Sequence, residues 1–387
     1  MANILDFIAK QTNGTPYKSY KYCVDTEYSL PAVVYDETSF SFTPKRLGES
    51  DTTITGTKSM TKKMAAMQGK QPLFRYFLDG SRRVYKIDDV QYGRRLFPVV
   101  AGQIGVACCE RVSKSEFRNA IIERPFVLAL PGSEANPEGK NTDLFLNKLK
   151  DQVNDLERLK RFGVQISKIL SYSSIKGDDD FTDRGIAMIQ DEMIEREKKI
   201  VAELATRNLL GPERYLMKDG SLEYKEMQKG DYRQLSKIKN NYRWVVGVSK
   251  SFNPELMRDT KGKSNAPIIA NLPFASRTPA FTHQTDIVGN NVHFCVWYVR
   301  VRERRYTESP FAGVLKIEKL LVSEEEKENG LDSSEIDTIT ANIINERNPV
   351  CYGKDQRWAN HLYPIYLTEI FIKSRYLSDL YFLNLFQ

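Results

Sequence analysis

The sequence predicts an α/β chain built on a mixed sheet flanked by helices, with an inserted helical segment and an N-terminal extension. Three observations carry this reading. Short apolar and aromatic runs bounded by Gly, Asn or Asp recur from residue 73 onward. A long amphipathic helix separates the first of these runs from the later ones. A strand–helix–strand order over residues 214–250 then implies a parallel crossover.

Residues 1–60 are polar and turn-rich, with apolar stretches such as SLPAVVY (29–35), and read as an extension or partner-binding arm; 61–387 is the main domain. Within 73–110 three strands are expected: PLFRYFLDG stopping at Gly80, SRRVYKIDDV returning antiparallel, and LFPVVAGQIGVACC. Residues 113–178 read as a helical insertion. It holds a Pro/Gly/Asn loop at 131–141 and a helix-patterned stretch, TDLFLNKLKDQVNDLERLKRFG (142–163), that ends in glycine. The long helix is expected from about Phe181 to Leu210. Its stripe is Ile186, Ile189, Met193, Ile194, Ile200, Val201 and Leu204, and Gly211-Pro212 stops it. RYLMKDGSLEY (214–224) reads as a strand ending at Asp219-Gly220, followed by a polar helix over about 229–241 and a buried strand in RWVVGVSK (243–250). VHFCVWYVRVRERRY (292–306) and GVLKIEKLLV (313–322) read as a strand pair. Helices follow at about 332–346 and from about Pro364 to the end, where the apolar LSDLYFLNLFQ either docks on the core or meets a partner.

The chain has 387 residues, 41% of them hydrophobic and 28% charged, enough for a sizeable core. No apolar run approaches a membrane span. The opening MANILDFIAKQ lacks a basic segment followed by an apolar one, so no signal peptide and a cytoplasmic location are expected. Five cysteines without a Cys-x-x-Cys pair, and three histidines (His283, His293, His361), argue against structural zinc and for buried reduced thiols. There is no G-x-x-x-x-G-K-[ST] loop, so the chain should not hydrolyse ATP; Gly102-Gln103-Ile104-Gly105 is too short for one. No Ser/His/Asp set is recognisable. The net charge of +7 is compatible with a polyanionic partner.

Two apolar strands end in the same tripeptide, Asp79-Gly80-Ser81 and Asp219-Gly220-Ser221. An aspartate at the end of a buried strand is costly unless its charge is compensated, and the following glycine lets the chain turn or a ligand approach. The plainer alternative is a pair of turn aspartates. Between them lies DEMIERE, in which Glu192 flanks Ile189 and Met193 and can reach the core edge; Glu195 is the other candidate, and Glu195–Lys199 pairing explains part of the run. Strand aspartate, meander, helix glutamate, strand aspartate is the order in which an RNase H-like fold gathers its metal-binding carboxylates.

FLDGSRR, the helical Glu192, LMKDGSLEY, WVVGVSK and the terminal YPIYLTE together resemble the NurA nucleases, as short blocks scattered over residues 73–375. These are RNase H-like enzymes that work with the hexameric DNA translocase HerA in DNA-end processing, and related pairs occur in phage defence. The resemblance implies that Asp79, Glu192 and Asp219 are metal-binding carboxylates and that Lys250 is the lysine closing the GVSK-like strand. Tyr363 and Pro364 correspond to the family's Tyr-Pro. Where the family commonly has Ala-His, this chain has Thr368-Glu369, so Glu369 is the expected replacement for the histidine; the alternative is an exposed Glu369–Lys373 helix pair. Such a site implies Mn²⁺ or Mg²⁺ and two-metal phosphodiester hydrolysis, with Asp79 bridging and Lys250 facing the scissile phosphate. The expected partners are DNA, a HerA-type hexameric ATPase and a second copy of the chain as a homodimer, in repair or antiviral defence. The rival expectation is a non-catalytic adaptor subunit of such a complex with a degenerate site.

Arg82, Arg83, Arg94 and Arg95 follow the first aspartate, and Arg300, Arg302, Arg304 and Arg305 alternate with Trp297, Tyr298 and Tyr306. Basic residues among aromatics suit single-stranded nucleic acid; a solvated strand face is the alternative. Arg82, Arg83, Arg302, Arg304 and Tyr363 form the expected contact set.

Overall fold

The apolar runs of residues 73–110 form one long hairpin instead of three strands. The computed structural model describes residues 4–19, 21–24, 48–137, 139, 141–175, 180–222, 232–256, 263–284, 292–307, 309–349 and 358–387. After helix α1 (Ile4–Gln11), strand β1 runs unbroken over Phe74–Tyr92 and pairs antiparallel with β2 (Arg95–Arg111) along its length. The break expected at Gly80 is absent because Gly80 has its own ladder partner, Val106. The chain turns instead at Gly93, where φ is +60°.

The main elements that follow are, in order, β3 (Phe117–Glu123), β4 (Phe126–Pro131), α2 (Thr142–Asn154), β5 (Ile166–Tyr172), α3 (Phe181–Thr206), β6 (Tyr215–Asp219), α4 (Tyr232–Tyr242), β7 (Val245–Ser249), β8 (His293–Arg300), β9 (Val314–Leu320), α5 (Ser333–Asn345), α6 (Tyr363–Lys373) and α7 (Asp379–Asn384). Residues 113–178 are therefore not a helical insertion. They supply β3 and β4, antiparallel to β2, and β5, parallel to β4. Their apolar runs are short and do not alternate cleanly, so periodicity alone could not separate strand from helix there. The central order is β8-β9-β7-β6-β1-β2-β4-β5, with β6 parallel to both β1 and β7. An antiparallel meander, a helix, and two parallel strands beside the first strand make up the mixed α/β sheet flanked by helices that the apolar runs implied.

Each face of the sheet has its own core. Ile189, Ile200, Val201 and Leu204 of α3 pack on Leu78, Val100 and Leu216. On the other face α5 and α6 bring Ile336, Ile339, Ile343 and Ile365 to Phe77, Met217, Val246 and Trp297. Gly102 and Gly105 of β2 allow helices this close. A Cβ on the first would lie 2.8 Å from Ile189, and on the second 2.3 Å from Ile372. At the C-terminus Phe382, Leu385 and Phe386 are fully buried, so LSDLYFLNLFQ docks on its own core. Cys108, Cys109 and Cys295 are buried free thiols. Among the described residues no helix is long and apolar enough to cross a membrane.

The described N-terminal residues pack on the main body; 25–47, including SLPAVVY, lie outside the described residues. Ile4, Leu5 and Ile8 enter the α3-side core. Glu49 and Arg277, both fully buried, pair at 2.7 Å; Arg277 also meets Asp337 of α5 at 2.8 Å, and Lys58 meets the same carboxylate at 2.7 Å. Removing one member of a buried pair strands the other's charge. Arg277→Met is therefore expected to lower unfolding stability by about 3–5 kcal/mol, read from urea denaturation. A loss under about 1 kcal/mol would show that this network does not fasten the N-terminal segment.

Candidate active site

The site is set by where β1 and β6 part. Their last paired residues are Leu78 and Lys218, so Asp79 and Asp219 are the next on each strand. Asp219 is still paired to Val248 of β7. Side chains alternate across a strand, so both aspartates project from the face that carries Phe77 and Met217, beneath α6. Lys250 follows β7 by one residue. Its Nζ lies 2.8 Å from Asp219 Oδ2 and 3.6 Å from Glu369 Oε2. Thus Asp79, Asp219, Lys250 and Glu369, four of the expected site residues, are brought together from β1, β6, the end of β7 and α6.

Helix α6 holds Glu369 over the strand ends because Ile365, Thr368 and Ile372 form its buried stripe. Asn360, just before α6, donates to the carbonyls of Lys250 (2.6 Å) and Val314 (3.1 Å) and so fixes the backbone that carries the lysine. The buried His361 places Nδ1 3.9 Å from Glu369 Oε2. Asn360 and His361 were missed from the sequence; only their position directly before the Tyr-Pro block hinted at them.

Of the glutamates on α3, Glu197 lies nearest the strand ends, against Gly80 and Lys218 on the sheet face opposite the aspartates. Glu192 is held elsewhere, with Lys168 of β5 at 2.7 Å and Arg196 at 2.9 Å, while Arg196 also reaches Glu123 of β3 at 2.6 Å. Five residues apart, the two glutamates point about 140° apart around the helix. Glu197 lies against the backbone of Gly80 and pairs with the buried Lys218 at 3.0 Å. A Cβ on Gly80 would stand 2.3 Å from Glu197 Oε1, so this glycine is needed for helix approach and not for a turn. Gly220, by contrast, has φ of +81° and does turn the chain. A signal for Glu197 was present: it interrupts the apolar stripe between Met193 and Ile200, and Lys218 interrupts an otherwise apolar strand.

Burial raises the Asp79 carboxyl well above the usual range; Asp219, Glu369 and Glu197 push the same way, against Lys250. Burial also pushes Glu369 up, but Lys250, Lys373 and His361 outweigh it and hold its carboxyl at about 2. Burial raises Glu197, with Lys218 opposing. Glu192, despite its burial, is lowered by Lys168 and Arg196.

Among the described residues no three His, Cys, Asp or Glu side chains stand at metal-ligating spacing. The donor chemistry nonetheless suits a hard divalent cation. Asp79 is 4% exposed and its carboxyl accepts no hydrogen bond among the described residues, and the buried Glu369 Oε2 accepts none. Glu192 does not suit one, since lysine and arginine occupy both its oxygens.

The expected nucleic-acid residues are dispersed. Arg82 donates to Gln190, and Arg83 reaches Asp379 and the Tyr376 ring. Arg302 stacks over Trp358, Arg304 is exposed and meets Asn271, and the half-buried Tyr363 packs edge-on to Phe117. The expected basic and aromatic strand face does not form on β8. Trp297 and Tyr298 are core residues, and the buried Arg300 donates to the carbonyls of Ala270, Pro310 and Ala312.

No protein-family model matches the sequence, and neither does any curated protein. Among solved structures the chain is similar to the crystal structure of the NurA nuclease from Sulfolobus solfataricus, with 10% identity and a TM-score of 0.39 over 81% of this chain and 87% of that one.

A raised carboxyl pKa means that the folded chain takes up its proton first as pH falls. Ionised Asp79 thus costs stability as pH rises from the ordinary carboxylate range toward its folded value. Asp79→Asn removes that cost. In the presence of a chelator it should be at least as stable as the parent at neutral pH, with the advantage shrinking toward about pH 4, followed by thermal melts across pH. A clear loss of stability at neutral pH would make Asp79 a structural group.

Proposed function

We propose that this chain is a divalent-metal-dependent nuclease that hydrolyses phosphodiester bonds in DNA. The observation that carries the reading is the convergence of Asp79, Asp219 and Glu369 beside Lys250 where β1 and β6 part. Asp79, Asp219 and Glu369 would hold Mn²⁺ or Mg²⁺, with Glu197 close behind; Glu192, the sequence candidate, is committed to Lys168 and Arg196. When bound, the metal would supply Lewis acidity and an activated water.

The chain's own residues provide the rest. The strand ends keep the carboxylates in fixed mutual positions, and α6 shields them from bulk water. Lys250 offers a positive charge to a phosphate at the same place. Arg302, Arg304 and Tyr306 lie beyond the end of β8, with Arg304 and Tyr306 exposed, and with Tyr363 they are the residues we assign to the nucleic-acid strand. A HerA-type hexameric ATPase as partner, homodimer formation, and a role in end processing or antiviral defence extend this reading on the short-block resemblance.

The rival reading is a non-catalytic adaptor. Two observations favour it: Lys250 already pairs with the carboxylates, and no ligating triad closes among the described residues.

A cleavage assay with Mn²⁺ or Mg²⁺ on linear and end-blocked DNA separates the two. The parent should cut, and Asp79→Asn should lose about a thousandfold or more, matching several kcal/mol of transition-state stabilisation, while still binding DNA. Uncut DNA under all metal conditions would favour the adaptor. Affinity for single-stranded DNA should also fall with salt, with a log–log slope of about −0.7 per phosphate contacted. A flat salt profile would remove the proposed contact set.

A further inference from the structure

The ammonium of Lys250 stands among the oxygens that a divalent ion would need. It lies 2.8 Å from Asp219 and 3.6 Å from Glu369 Oε2, the other oxygen of Glu369 being held by Lys373 at 2.9 Å, and its side chain is 8% exposed. Asn360 pins its backbone carbonyl, so the anchor of the side chain is fixed while its four-carbon stem can re-aim. Beside it the Asp79 carboxyl is buried and accepts no hydrogen bond among the described residues. One ammonium thus offsets part of the charge of a carboxylate group, and a divalent cation would offset more of it from the same place.

Resting on the metal-dependent reading, we propose that Lys250 is a built-in competitor for the metal: its ammonium neutralises Asp219 and Glu369 until a divalent cation displaces it, and the displaced ammonium then faces the substrate phosphate. The exchange keeps the carboxylates compensated at each stage, so the strand ends need not separate when either cation leaves. The ordering is also productive, because the lysine is released toward phosphate only once the carboxylates are occupied.

The test uses the full chain and Mn²⁺ alone, titrated by calorimetry without nucleic acid. Lys250→Met should bind Mn²⁺ at least tenfold more tightly than the parent, and Lys250→Arg, which keeps the charge, no more tightly. Unchanged or weaker binding by Lys250→Met, with binding by the parent intact, overturns this inference and leaves the metal reading standing. Absence of Mn²⁺ binding by the parent overturns both.

A second measurement needs no variant. Reductive methylation of Lys250 in the parent chain, followed by peptide mass spectrometry, should rise several-fold when Mn²⁺ is added. Labelling that stays constant or falls as Mn²⁺ binds overturns the displacement.

Discussion

Asp219 and Lys250, 2.8 Å apart at the ends of neighbouring parallel strands, form the ion pair around which the centre of the molecule is arranged. Carboxylates gathered in a buried space repel one another unless cations stand among them. Each sheet face meets that requirement with a buried lysine, and Lys373 adds a second cation at Glu369. On the α6 face Lys250 serves Asp219 and Glu369; on the α3 face Lys218 serves Glu197. The two lysines come from adjacent strands, β6 and the end of β7, so the parallel register that places the aspartates also places their counter-charges.

The same logic separates the two glutamates of α3. Glu197 faces the strand ends, where charge is concentrated. Glu192 faces β5 and, through Arg196 and Glu123, ties the helix to β3. Its network is complete, with both oxygens engaged, and it braces the edge of the sheet. A carboxylate so fully satisfied has little to offer a ligand, whereas an unsatisfied one has much.

The parts of the fold legible in the sequence were those whose pattern is local. RWVVGVSK, the helix at 332–346 and the start of α6 at Tyr-Pro announce themselves through apolar runs, periodicity and caps. The rest depends on distant partners. Asp79-Gly80 resembles a turn to any local rule, yet the β2 ladder carries the strand straight through it. Arg300 alternates with aromatics as a surface strand would, but its guanidinium is consumed by loop carbonyls. Glu49 belongs to the main body because Arg277, Ala280 and Ser333 meet it across the fold. Glu192 and Glu195 were the helix glutamates the sequence offered; only the positions of Lys168 and Lys218 show that Glu192 is engaged toward β5 while Glu197 lies against β6.

Asp79 is the residue through which function and structure can be told apart. Its backbone makes an ordinary rung with Ala107 and needs no carboxylate to do so. Its side chain is buried, carries no hydrogen bond among the described residues, and is opposed by three neighbouring carboxylates with only Lys250 in its favour. Burying such a group works against the fold, and an apolar or amide side chain there would relieve it. Lys250, Glu369 and Asp219 are stable as an ion-paired set and would suit an adaptor equally well. Asp79 would not, because an adaptor has no use for an uncompensated acid in its core. A destabilising group that the fold does not require, set beside the ion-paired Lys250, marks this position as one where stability alone does not account for the residue.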